Sequence, residues 1–236
     1  MKEEFALFYY FDPLYLYLVL PALLLALFAQ FKVQSTFNRY SQVYSGSRMT
    51  GAQAARAILD RNGLYDVRIE HVSGKLSDHY DPRTNVVRLS DSVYNNTSIA
   101  AIGVAAHETG HALQYAEGYS PIKLRAALIP ITNIGSQLAI PLVLFGFLLD
   151  LLGLVYVGII LYSTMALFQL VTLPVEFNAS SRALKILDTE GILYNDELDG
   201  AKKVLSAAAL TYVAALIVSL AQLLRLIALF GRRRND

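Results

Sequence analysis

Four stretches without a single charged side chain, at 13–31, 126–149, 151–175 and 204–224, constrain this chain more than anything else in it. A helix rises 1.5 Å per residue, so about 20 apolar residues cross a hydrocarbon layer of about 30 Å, and each stretch is close to or beyond that length. In a chain of 236 residues that is 55% hydrophobic, too little polar sequence remains to cover four such helices in water. The fold class expected is a mainly α, multi-pass protein of the cell membrane with about four transmembrane helices. The first reads as a retained anchor rather than a cleaved leader, because Lys2 is offset by Glu3 and Glu4 and the apolar run outlasts a signal-peptide core. Tyr9, Tyr10, Tyr15 and Tyr17 suit an interfacial aromatic belt. Pro21, Pro130 and Pro141 predict bends, and Asp150 with Gly153 nearby marks a turn between the second and third spans.

Residues 32–122 form the one polar stretch large enough for a small α/β domain. Thr50 and Gln53 have capping-box spacing, and the helix they open carries Ala54, Ala55, Ile58 and Leu59 on one stripe until Asn62-Gly63 stops it. Residues 67–72 and 85–90 read as strands, joined by a polar link that contains Asp81-Pro82. Asn96 or Thr97 starts the next helix. A strand beside that helix could take an extended peptide onto an open edge. His71 reads as a surface strand residue. His79, in the link, reads as an exposed loop histidine or as a contact to substrate or transition state.

That next helix carries His107-Glu108-Thr109-Gly110-His111, an H-E-x-x-H pattern. At 3.6 residues per turn the two imidazoles lie one turn apart on the same face, where both can grip one metal ion. Glu108, beside the first histidine, projects close to such an ion without binding it, the place for a general base. The preceding residues 99–106 are almost wholly apolar, so polar groups here are set into a core helix and need a reason to be there. With no cysteine in the chain, a zinc ion would rest on histidine and carboxylate alone, one ion per chain.

A hydrolytic zinc site takes three protein ligands, and this motif supplies two. Glu176 is the preferred third, because a charge at the end of an apolar span is costly without a partner; Asp188, Glu190 and Glu117 are the alternatives. Pro174 is expected to end the third span and open a new or kinked helix that carries Glu176. Two crossings separate the H-E-x-x-H helix from Glu176, so both lie on one side of the membrane and can meet. This divides the chain into an anchor (1–31), a zinc-helix domain (32–122), a membrane hairpin (123–175), a helical segment with the third ligand (176–203) and a last span with a basic tail (204–236).

The stretch AAHETGHALQ, then LPVEFNASSRAL after the hairpin and AALTYVAA in the last span, resembles the bacterial YugP-type membrane zinc metallopeptidases, as do DHYDP and VVRLS upstream. The resemblance runs over nearly the whole length. It implies that His107 and His111 bind zinc, that Glu108 is the catalytic base and that Glu176 completes a zincin-like site. More distantly, Glu176-Phe177-Asn178-Ala179 is similar to the second motif of HtpX-type membrane proteases, which continue with Asp where this chain has Ser180. Serine is a weaker acceptor for orienting a ligand histidine.

The activity expected is hydrolysis of peptide bonds by a zinc-activated water, with Glu108 as general base, on a peptide or protein substrate that includes membrane proteins. Tyr212, in the last span, is a candidate donor to the developing oxyanion. Two rivals stand beside this. A non-catalytic membrane scaffold or chaperone would hold a structural metal with a fourth ligand. A transporter would place ionisable groups inside the spans, which carry essentially none. The formal charge of +1 leaves no basic surplus for nucleic acid. Lys32, Arg39, Arg48, Lys123, Arg125, Arg182, Lys185, Lys202 and Lys203 flank the spans on the catalytic side, against Lys2, Arg225 and the arginines at 232–234 on the other, which leans the active site to the cytoplasm.

Overall fold

The computed structural model describes residues 12–231. Lys2, Glu3, Glu4, Tyr9, Tyr10 and the arginines at 232–234 lie outside the described residues. A π-helical turn, Tyr15–Val19, runs into α1 (Leu20–Tyr40), followed by α2 (Gly51–Arg61), β1 (Arg68–Val72), β2 (His79–Asp81), β3 (Val86–Ser90), α3 (Ile99–Ala116), α4 (Ser120–Leu148), α5 (Leu152–Thr189) and α6 (Asp196–Phe230). The helix that begins at Tyr15, together with α4, α5 and α6, is long and apolar enough to cross a membrane, which makes four spans among the described residues. Their outward side chains agree: Leu27 is 66% and Ile160 65% exposed, an arrangement that hydrocarbon tolerates and water does not.

Prolines lie within the long helices. Before Pro21 the helix widens into the π turn, which makes room for a ring that would otherwise crowd the carbonyl one turn back. Pro130 and Pro141 lie inside α4. Pro174 lies inside α5, which continues through it to Thr189, so Glu176 stands on the same helix as the third span. Val175, Ala179, Ala183 and Leu187, spaced four apart beyond the proline, are fully buried. The burial of Val175 and Leu187, about 1.5–3 kcal/mol each, offsets the loss of about 3 kcal/mol that a proline inside a helix brings. Asp150 does mark a turn, with a positive φ of 54° between α4 and α5.

The chain forms two compact units. One, 29–124 with 172–211, is built around α3. Fourteen of the eighteen residues of α3 are buried, so the helix has no solvent face and is packed on more than one side. Ala101, Ala105 and Ala112 meet Ala55 and Leu59 of α2 and Val87 and Leu89 of β3. Ile102, Ala106 and Leu113 meet Ala183 and Leu187 of α5 and Leu205 of α6. The capping box of α2 is present as expected, with Thr50 Oγ1 accepting from the Gln53 amide N–H and Gln53 Oε1 accepting from Thr50 N–H. The start of α3 is not at Asn96 or Thr97. Ser98 is its cap, accepting from Ala101 N–H at 3.2 Å, while Asn96 Oδ1 takes the Ser98 N–H instead.

The sheet has the order β1-β3-β2, with β1 parallel and β2 antiparallel to β3. The polar link therefore hides a third strand. At three residues β2 is too short to show alternation, and it is held by main-chain pairing to β3 and by the Asp81 side chain, which accepts from Arg83 N–H and Thr84 Oγ1 across the turn. Of the two expected strands, β3 is central and buried, whereas β1 is an edge. The other edge, β2, packs against α3. The second unit contains 125–171, 212–231 and the start of the first helix, with its own core of Ala139, Val143, Val155, Tyr162, Leu226 and Phe230.

Candidate metal centre

His107 and His111 stand on α3 and Glu176 on α5, all within one compact unit. Gly110, between the histidines, lets the two helices touch. A Cβ there would lie 2.7 Å from the carbonyl oxygen of Ala179, closer than any real contact. The crossing carries Glu176, less than a turn before Ala179, onto the imidazole face. His107 Nε2 is 3.2 Å and His111 Nε2 3.5 Å from Glu176 Oε2, and the rings meet edge to face at 4.7 Å. One donor atom from each of the three residues falls within 4.8 Å of the other two. Glu176 is 2% exposed. Two of the three alternative carboxylates are engaged elsewhere: Glu190 with Arg61, and Glu117 with Arg182 at 2.7 Å.

The outer nitrogens of both rings are held. Gln114, fully buried, donates from Nε2 to the Val175 carbonyl at 2.8 Å and to Asn178 Oδ1 at 2.9 Å. A main-chain carbonyl only accepts, so the Gln114 amide has one orientation and its Oε1 must face His111 Nδ1, 3.0 Å away. Nδ1 therefore carries a hydrogen, and Nε2 is the ring atom left to face Glu176 and to act as a ligand once its own proton is displaced. Asn178 is oriented in turn, because its Oδ1 also accepts from Arg182 Nε at 2.7 Å. At the first histidine, Ser180 Oγ lies 3.1 Å from His107 Nδ1. Gln114, Asn178 and the Arg182 link were not singled out from sequence. A helix-face argument could have found Gln114, which follows His111 by three and His107 by seven residues.

Acceptor atoms that converge on one point need a cation. Burial by itself would push the His111 imidazole down, but its hydrogen bond to Glu176 and the charges of Glu108 and Glu176 reverse this and hold it above the ordinary imidazole range. A cluster that stabilises a proton between these atoms offers a divalent ion the same field and two imidazoles and a carboxylate as ligands, a donor set that suits zinc. Glu108 is 8% exposed, and its carboxylate takes no hydrogen bond from any described residue.

Of the two remaining candidates, His79 is not among the three converging residues. His79 lies on the edge strand β2, not in a loop; it is exposed and its Nδ1 pairs with the Ser77 carbonyl at 2.8 Å. Tyr212 lies on α6 and belongs to the other compact unit. His71 is an exposed strand residue as expected, with Nε2 2.6 Å from Asp91.

A family model described as "Putative neutral zinc metallopeptidase" matches residues 15–231. A Bacillus subtilis (strain 168) protein named "Putative membrane protease YugP" is 54% identical over 223 residues, which cover 94% of this chain and 99% of that protein. No solved structure matches the chain. The match takes in every residue of the His-His-Glu cluster and all four spans, so the chain belongs to the family of neutral zinc metallopeptidases that this model describes.

Proposed function

We propose that this chain is a membrane-embedded zinc metalloendopeptidase whose ion is held by His107, His111 and Glu176, one per chain, with Glu108 as general base. The observation that carries the reading is the convergence of the two Nε2 atoms and Glu176 Oε2, with both Nδ1 atoms engaged outward. A zinc ion bound there would supply Lewis acidity, lowering the pKa of a water toward about 7 and polarising a peptide carbonyl. The rest falls to the chain. Glu108 accepts a proton from the water that attacks the carbonyl carbon, and passes it to the amide nitrogen as the carbon–nitrogen bond breaks. Gln114 and Ser180 keep both ring hydrogens on the outer nitrogens, so that the inner ones remain ligands. An extended substrate would add to the outer edge of β2, the edge strand packed on α3, where Tyr80 lies 5.6 Å from Tyr115.

Among the described residues the cluster has three donors, the number that leaves a hydrolytic zinc a position for water; a structural-metal scaffold would close it with a fourth. The basic residues that flank the spans on the Glu176 side support a cytoplasmic site. Zinc content by elemental analysis, beside cleavage of an unfolded model protein, tests the reading. About one zinc per chain in wild type and Glu108→Ala, less in Glu176→Ala, and cleavage by wild type alone is the expected result. Zinc in all three without cleavage would transfer the case to the scaffold.

A further inference from the structure

A second polar feature lies apart from the metal centre, in a groove of about 530 Å³ between α1 and α6, where Lys32, Arg39, Lys202 and Lys203 face one carboxylate, Asp199. None of the four cations forms an ion pair with a described residue; Arg39 lies over the Tyr40 ring at 5.7 Å instead. Four like charges that line one groove repel one another, and an anion placed among them relieves the repulsion. Two hydroxyls, Thr36 and Ser206, also line it and can donate hydrogen bonds.

Where these cations stand identifies the anion. Lys32 directly follows the uncharged stretch 13–31, and Lys203 directly precedes the uncharged stretch 204–224. Both helices thus carry their charges where they leave hydrocarbon, at the depth of lipid phosphates, which long basic side chains reach by extending along the helix. Further along α6 the lining turns apolar, at Ala207 and Leu210. A free phosphate has no use for an apolar flank, whereas a phospholipid does. We propose that this groove binds an anionic phospholipid, with its phosphate among Lys32, Arg39, Lys202 and Lys203 and its acyl chains along Ala207 and Leu210. Asp199 provides an acceptor for a headgroup hydroxyl, so a phosphatidylglycerol-like lipid fits best. The site rests on the membrane reading of the spans and is independent of catalysis.

Native mass spectrometry of the full chain, released from detergent after titration with phosphatidylglycerol or phosphatidylcholine, reads the site directly. Wild type is expected to retain phosphatidylglycerol over phosphatidylcholine. Each basic side chain near an anionic headgroup accounts for roughly fivefold in affinity, so Lys202→Gln with Lys203→Gln should weaken retention about 25-fold, whereas Lys202→Arg with Lys203→Arg should keep it. Lys32→Gln, on the other helix, should weaken it in the same direction. Equal retention of the two lipids by wild type would overturn the proposal, as would undiminished phosphatidylglycerol in the double glutamine variant. Displacement of the lipid by millimolar inorganic phosphate would show a free-anion site and overturn the lipid assignment.

Discussion

Replacing Gly110 by alanine tests whether the helix crossing makes the metal centre. The added Cβ would meet Ala179 O at 2.7 Å and Ala179 C and Cα at 3.3 Å, all backbone atoms of a buried helix that cannot swing aside. Ordinary contact begins at 3.4 Å, so α3 and α5 must part by about 0.7 Å at this point. Such overpacking costs about 1–3 kcal/mol, offset by about 1 kcal/mol that alanine gains over glycine in a helix. The net loss of stability is about 0–2 kcal/mol. The effect on metal binding is larger, because Glu176 moves with Ala179 and ligand distances tolerate only about 0.2 Å. Zinc affinity, measured by competition with a chelator, should fall by about ten- to a hundredfold, the range that misplaced support for a ligand costs elsewhere. Gly153→Ala is the control: a Cβ there meets nothing within 4 Å, so zinc affinity should not change and stability should hold or rise. Wild-type zinc affinity together with higher stability in Gly110→Ala would refute the claim that this crossing positions Glu176.

His107→Ala should lose both zinc and proteolysis, whereas Glu108→Ala should lose proteolysis alone; equal zinc loss in the two would contradict the assigned roles. Gln114→Met keeps the volume but strands His111 Nδ1–H and the Val175 carbonyl, so about 1–3 kcal/mol of stability and about ten- to a hundredfold in zinc affinity should go, read by thermal unfolding and chelator competition. Asp81 is held down to about 2 from 3.8, first by Thr84 Oγ1 and then by Arg83 N–H and Arg88. Since its folded pKa is below its unfolded one, its contribution is complete above about pH 4 and is lost as pH falls through about 2. Unfolding curves of Asp81→Asn should accordingly lie closer to wild type at pH 2 than at pH 6; a constant gap would remove Asp81 from the turn's stability. Chelation of zinc should abolish cleavage and lower the unfolding temperature, and added zinc should restore both.

Much of the fold could be read locally. The four spans follow from run length, since the hydrocarbon core sets how many apolar residues a crossing helix needs. The capping box at Thr50 and Gln53 and the turn at Asp150 are contacts or backbone states of near neighbours in sequence. The strand at His79–Asp81 was not legible, because a three-residue segment has no period of its own and exists through its pairing to β3. Nor was the cap of α3, where several side chains of suitable chemistry stand in a row and hydrogen-bond geometry chooses Ser98.

The sequence by itself determined that His107 and His111 share a helix face, because i and i+4 positions do so in any α-helix, and that Glu108 stands beside them. It also led to the expectation that Glu176 returns to the side of the histidines, because an even number of candidate spans intervenes. Among Glu117, Glu176, Asp188 and Glu190 it could order the carboxylates only by the cost of a charge near an apolar span. The tertiary structure decided which of them reaches the imidazoles, through the close crossing at Gly110 and Ala179 and through arginines that hold Glu117 and Glu190 elsewhere. It decided too that α5 runs on through Pro174, and that Gln114, Asn178 and Ser180 fix the rings. The physical reason is range: helix periodicity and span length act over a few turns of one segment, whereas a ligand set depends on distances between segments that only packing determines.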